Sequence, residues 1–177
     1  MYTSIPQIFE TIDETRERIY QRAENLSDDK LNARPDRDAW SVAEIIEHLA
    51  VIEGRLLGMM KMMLTKAEGA SATDGAKASR MQPFSMEQFT ERARKEKYIA
   101  PESVQPSGKE SLPDSLTRLR RTREELRSLL PRIEAVDLSS VTYPHPAFGP
   151  LNFYQWLAFI GIHEERHLRQ MEKALSA

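Results

Sequence analysis

Four long stretches of this chain repeat apolar residues every three or four positions, and none alternates apolar and polar residues in the two-residue rhythm of a strand. That pattern constrains the fold more than any other feature. A three-to-four repeat makes a helix with one apolar stripe, and such a stripe is stable only when buried on another. The first stretch runs from Ser4 to Asn25, with Ile5, Ile8, Phe9, Ile12 and Ile19 in phase and Leu26 just beyond. Pro6 falls in its first turn, where a missing N–H costs nothing. The second runs from Val42 to Thr65 through Ile45, Ile46, Leu49, Ile52, Leu56, Leu57, Met60, Met63 and Leu64. Ser41 and Glu44 form a capping box at its start. The third runs from Pro113 to Glu134, with Leu116, Leu119, Leu126, Leu129, Leu130 and Ile133 inward. The fourth starts after Asn152, with Gln155 in the capping-box position, and carries Trp156, Leu157, Ile160, Leu168, Met171 and Leu175. Four helices of about 22 residues would each span about 33 Å, and the expected fold is an all-α four-helix bundle.

The connections are uneven. Lys66 to Ser85, rich in Ala, Ser, Gly and Asp, reads as a long mobile loop between the second and third long helices. A short extra helix is expected over Met86 to Lys97, followed by a proline-bearing connection from Tyr98 to Glu110. The prolines of Val136 to Leu151 predict a segment shaped without helix or strand. Arg16, Arg18 and Arg22 among glutamates read as a solvated face, as do Arg118, Arg120, Arg121, Arg123 and Arg127 around Glu124 and Glu125. The methionines at the far end of the second helix read as adaptable core filler.

Composition excludes several classes of function. There is no cysteine, hence no disulfide framework, no thiolate metal site and no cysteine nucleophile. Lys and Arg number 25 against 27 Asp and Glu, a net charge of −2. That balance argues against nucleic acid as a partner, since phosphate binding wants a basic excess. The N-terminal residues carry no basic region followed by an apolar one, and the most apolar window, Phe153 to Ile162, is ten residues long with Gln155 inside it. A membrane span needs about 20, so the expectation is a cytoplasmic, membrane-free protein forming one domain over residues 1–177.

The histidines carry the functional argument. There are four, His48, His145, His163 and His167, three of them within expected helices. His163 and His167, four apart, share a helical face with Trp156 and Ile160, and His48 lies on the inward face between Ile45 and Ile52. Two helices thus aim three imidazoles at one interior. A buried histidine is commonly a hydrogen-bonded core residue, but three together with no ligand would leave polar groups unsatisfied. The pattern therefore predicts a metal site. Neutral imidazole suits Zn, Ni, Cu or Fe(II), and three protein ligands leave open positions, as catalytic sites do. His163-Glu164-Glu165-Arg166-His167 also matches H-E-x-x-H, which would make Glu164 a general base. The zincin reading needs a further ligand downstream, and ten residues follow His167. Trp40, His145 and Phe148 are candidate pocket walls, with loop anchoring as the competing role.

Trp40-Ser41-x-x-Glu44-x-x-x-His48-Leu49, then His145-Pro146-x-Phe148-Gly149-x-Leu151, then Trp156 and His163-x-x-x-His167-Leu168-x-Gln170 together resemble the DinB-like (YfiT-like) superfamily. The resemblance implies a four-helix bundle holding a divalent metal, Zn or Ni, through His48, His163 and His167. It also implies chemistry on a small-molecule substrate. Family members include bacillithiol-dependent S-transferases, a mycothiol-dependent isomerase, domains tied to ergothioneine synthesis, and metal-dependent hydrolases. The implied partner is a low-molecular-weight thiol, and family habit points to a homodimer. The competing implication is a non-catalytic metal- or ligand-binding bundle acting through dimerisation.

Overall fold

A computed structural model describes residues 1–74, 81–95 and 99–176. The four expected long helices are present. The first, α1 (Ile5–Ala23), starts on Ser4, whose hydroxyl accepts from the Gln7 N–H at 3.3 Å. A five-residue helix, α2 (Asp28–Asn32), follows; the pattern did not suggest it. The Ser41/Glu44 box opens α3 (Val42–Asp74), with Glu44 N donating to Ser41 Oγ at 3.3 Å and Ser41 N to Glu44 Oε2 at 2.9 Å. The fourth long helix, α7 (Phe153–Leu175), opens on the Asn152/Gln155 box, both bonds 2.9 Å. No helix among the described residues is long and apolar enough to cross a membrane.

Four expectations need correction. The loop expected from Lys66 is helical as far as Asp74, because Ala-rich sequence continues a helix readily; residues 75–80 lie outside the described set. The third long helix is broken at Leu129 into α5 (Leu112–Ser128) and α6 (Leu130–Ala135). Pro131 has no N–H to continue the ladder, so the chain restarts with proline in a first turn. Within the connection expected to be structureless, β1 (Thr142–His145) and β2 (Gly149–Asn152) pair antiparallel, Tyr143 opposite Leu151 and His145 opposite Gly149. Gly149 closes the turn at φ +75°, a conformation that glycine adopts freely. The hairpin is tied to α7 by Trp156 Nε1, which donates to Tyr143 O at 3.0 Å. The short extra helix, α4, runs Glu87–Lys95, and a 3-10 turn, Glu102–Val104, lies in the connection after it.

The fourth correction concerns the arginines. In the bundle α1 packs on α7, and α3 on both α5 and α7. The buried apolar residues form two clusters rather than one. One holds Ile8, Ile12, Leu57, Leu126 and Ile160; the other holds Ile19, Ala50, Leu119 and Leu168. Between them each long helix sends one charged side chain inward: Arg16 from α1, Glu53 from α3, Arg123 from α5 and Glu164 from α7. Arg16 Nε donates to Glu164 Oε1 at 2.6 Å, and its Nη2 bonds Glu53 and Glu164. Its Nη1 reaches Leu119 O at 3.2 Å and Tyr20 Oη at 3.3 Å. Arg123 Nη2 donates to Glu164 Oε1 at 3.0 Å, while Nη1 takes Ile12 O and Asp13 Oδ1. Arg16 and Arg123 are therefore buried and not solvated, because facing carboxylates offset the desolvation of each guanidinium. The outer arginines of α5 do lie at the surface in ion pairs, Arg118 with Glu110, Arg120 with Glu24 and Arg127 with Asp13.

Candidate metal centre

The inward phase of α3 and α7 brings three imidazoles together beside this charged layer. His48 Nε2 lies 3.4 Å from His163 Nε2, which lies 3.1 Å from His167 Nε2. The three ligating atoms all fall within 4.8 Å of one another. An ion bonded to nitrogen at 2.0–2.1 Å in tetrahedral geometry separates its ligands by about 3.3 Å, so the donor set fits a divalent transition ion. His48 Nδ1 donates to Val104 O at 2.6 Å. That bond puts the proton on Nδ1 and leaves the Nε2 lone pair free, as metal-ligating imidazoles require. His167 Nδ1 is buried without a hydrogen bond of ordinary length, and Gln170 is the side chain that favours its protonated form.

All three rings are held neutral, chiefly by desolvation. Burial lowers His48, takes His163 down to about 3 and puts His167 well below the usual histidine range. The rings also disfavour charge on one another. Glu53 pulls His163 the other way, so the charged layer and the histidines share an electrostatic environment. Neutral imidazole is the ligating form.

Aromatic rings enclose the cluster. Trp40, directly before α3, lies 4.8 Å from the His48 ring and stacks at 6.1 Å on His167. Phe159, one turn before His163, stacks on it at 6.4 Å. Behind Phe159 the hairpin places His145 at 4.7 Å and Phe148 at 5.5 Å. Phe148 in turn meets Phe89 and the Arg92 guanidinium. His145 stands outside the ligand cluster. Its Nδ1 accepts the Ala147 and Phe148 N–H groups at 3.1 and 3.3 Å, and burial pushes it down to about 4. It both anchors the turn and backs the aromatic wall.

Glu164, the base suggested by H-E-x-x-H, sits one residue past His163 and therefore about 100° around the helix. It is fully buried, bonded to Arg16 and Arg123 within the charged layer. Desolvation raises its pKa to about 7, the two arginines opposing. Sequence reasoning missed Glu53 and the Val104 carbonyl. Glu53 carried a signal, since it lies four residues from both Ala50-adjacent Leu49 and Leu57 on the inward phase; a backbone carbonyl carries none.

The comparisons agree with this architecture. Residues 11–171 match the model of the DinB superfamily. The chain is 31% identical over 161 residues to the uncharacterized protein YuaE of Bacillus subtilis (strain 168), covering 90% of this chain and 92% of YuaE. Among solved structures it resembles TT2238, a four-helix bundle protein, with a TM-score of 0.60 and 19% identity over 96% of this chain and 98% of that one. It also resembles YfiT from Bacillus subtilis, described as a probable metal-dependent hydrolase with an unusual four-helix bundle topology. There the TM-score is 0.54, with 17% identity over 96% of this chain and 84% of YfiT.

Proposed function

The chain belongs to the DinB superfamily, and from that premise we propose that it is a divalent-metal-dependent enzyme acting on a small molecule, with His48, His163 and His167 as the protein ligands. The observation that carries this reading is the convergence of three neutral imidazoles on one point, with the His48 proton held on Nδ1 by Val104 O. Zn or Ni suits such a set. When bound, the ion would lower the pKa of a thiol or water and so furnish a nucleophile at neutral pH. Thiol S-transfer is the first choice within the class and hydrolysis the second.

The chain's own residues do the rest. His48 and His167 are covered by Trp40, and His163 by Phe159, which keeps bulk water from two sides of the ligand set. Water exclusion strengthens electrostatic interactions inside a site. Phe148 and His145 extend the aromatic wall away from His163 and would receive the apolar part of a substrate. Glu164 serves as a buried counter-ion of Arg16 and Arg123 in this reading, with no part as a base.

Metal analysis after supplementation with Zn or Ni is expected to find about one ion per chain in wild-type protein, and loss of that ion in His163→Ala. Metal-loaded protein is then expected to speed conjugation of a low-molecular-weight thiol to monobromobimane, and His48→Ala to abolish the gain. Wild-type protein without metal would sink the site. Equal rates for wild type and His48→Ala across thiols and electrophiles would sink the transferase.

A further inference from the structure

We infer that Glu47 and Arg55 are positioning residues for the His48 imidazole, acting through the backbone of residues 101–108; the inference rests on the three-histidine reading above. Both lie on α3 with His48. Arg55 follows His48 by seven residues, about two turns, so those two side chains share one stripe, and Glu47, one residue before His48, lies about 100° around the helix on the flank of that stripe. Each of them holds the same crossing segment. Glu47 Oε1 accepts from Ser107 N at 2.9 Å and Ser107 Oγ at 2.5 Å, and its Oε2 from Gly108 N at 2.9 Å. Arg55 donates through Nη1 to Ser103 Oγ at 3.0 Å and through Nη2 to Ser103 O at 2.6 Å. Between these two anchors Val104 O accepts the His48 Nδ1 proton at 2.6 Å.

The segment has little other means of holding that carbonyl. Its regular structure is one 3-10 turn, Glu102–Val104, with Val104 N bonded to Pro101 O at 2.9 Å, and the Val104 side chain is buried. Glu47 is 4% exposed, and a carboxylate out of water needs its hydrogen bonds made. The three donors it takes come from Ser107 and Gly108. A shift of about 1 Å at Val104 would break the bond to His48. The ring could then carry its proton on Nε2, the atom aimed at the ion, and present no lone pair there. Glu47 and Arg55 thus set the tautomer of His48 from outside the ligand shell.

Long-range 1H–15N NMR of the metal-free protein reads that tautomer directly. Wild type is expected to show His48 protonated on Nδ1, whereas Glu47→Ala and Arg55→Ala shift the ring toward the Nε2 form. In both variants Zn2+ affinity, measured by chelator competition, is expected to fall about tenfold or more. Glu47→Gln, which keeps one acceptor oxygen, and Arg55→Lys are expected to fall between, and they carry the test if the alanine variants do not fold. Arg132→Ala removes the Arg132–Glu68 pair elsewhere on α3 and is expected to match wild type in both readouts. Folded variants that retain the Nδ1–H tautomer and wild-type Zn2+ affinity would overturn the inference. A wild type that binds no Zn2+, with the tautomer still shifting in the variants, would overturn the metal reading and leave the positioning role standing.

Discussion

Arg16→Met tests the charged layer most directly. Arg16 is 2% exposed and holds both carboxylates of the layer. Without it, Glu53 and Glu164 share Arg123, whose Nη2 is 3.0 Å from Glu164 but 3.8 Å from Glu53. Removing one partner of a buried ion pair costs about 3–5 kcal/mol, because the remaining charge stays buried. For a domain of this size each kcal/mol moves Tm by about 2–4 °C, so the melting point is expected to drop by about 6–20 °C. Replacing both members, Arg16→Met with Glu53→Met, removes opposite charges together and leaves the Arg123–Glu164 pair. The double variant is expected to be more stable than Arg16→Met alone. The deficit should also depend on pH. Desolvation opposes ionisation of Glu53, but Arg16 and Arg123 overcome it and hold its pKa below the usual carboxylate range. A carboxylate with a lowered folded pKa contributes stability above its unfolded pKa, about 4.3, and loses it as pH falls through the folded value. Arg16→Met is therefore expected to lag wild type most at neutral pH and least in acid. Urea unfolding of the four proteins of the cycle at pH 7 and at pH 4 measures both effects. Strictly additive single and double variants, or a deficit that does not narrow in acid, would refute the reasoning.

Two further predictions concern packing and pH. At Gly161 an added Cβ would sit 3.1 Å from Ile12 Cγ2 where α1 crosses α7. Gly161→Ala gains about 1 kcal/mol of helix propensity against about 1–3 kcal/mol of overpacking, so a net loss of up to about 2 kcal/mol is expected in chemical unfolding. A Gly161→Ala protein more stable than wild type would show that the contact is not tight. His145→Asn keeps an acceptor for the Ala147 and Phe148 N–H groups while removing a ring that burial depresses to about 4. The stability from that neutral ring is present above the unfolded histidine pKa, about 6.5, and is lost as pH falls toward 4. The variant is expected to lose less stability than wild type across that window, and equal slopes of unfolding free energy against pH would contradict it.

The long helices and their starts were legible because apolar phase and capping residues are local signals: Ser41 with Glu44 and Asn152 with Gln155 cap as read. The histidines were legible for the same reason, since phase alone turned His48, His163 and His167 inward. The hairpin was not. Its strands are four residues each, with prolines in both; β1 is mostly exposed and β2 buries only Leu151, so no alternation records them. The continuation of α3 past Thr65 was hidden by small residues that form helix as readily as loop. The charged layer was hidden differently. Arg16 stands four residues from Ile12 and three from Ile19, and Glu164 stands four from both Ile160 and Leu168. Helical phase turns both inward, while a charged side chain within a single helix signals a solvated face. Only the facing charges on the other helices make an inward arginine reasonable, and that pairing is tertiary.

The charged layer also acts as an alignment key. Its four members come from four helices and neutralise one another at one relative height. Sliding any helix by a turn, 5.4 Å, would set its charge against the isoleucines and leucines of a neighbouring cluster, at the cost of an unpaired buried ion. Apolar stripes alone tolerate such slips, because one leucine resembles the next. The helices that the layer indexes include α3 and α7, which carry the histidines. The vertical match between His48 on one helix and His163 and His167 on the other is thus set by residues that touch no ligand, and stability spent on burying charge is returned as accuracy in the position of three nitrogens.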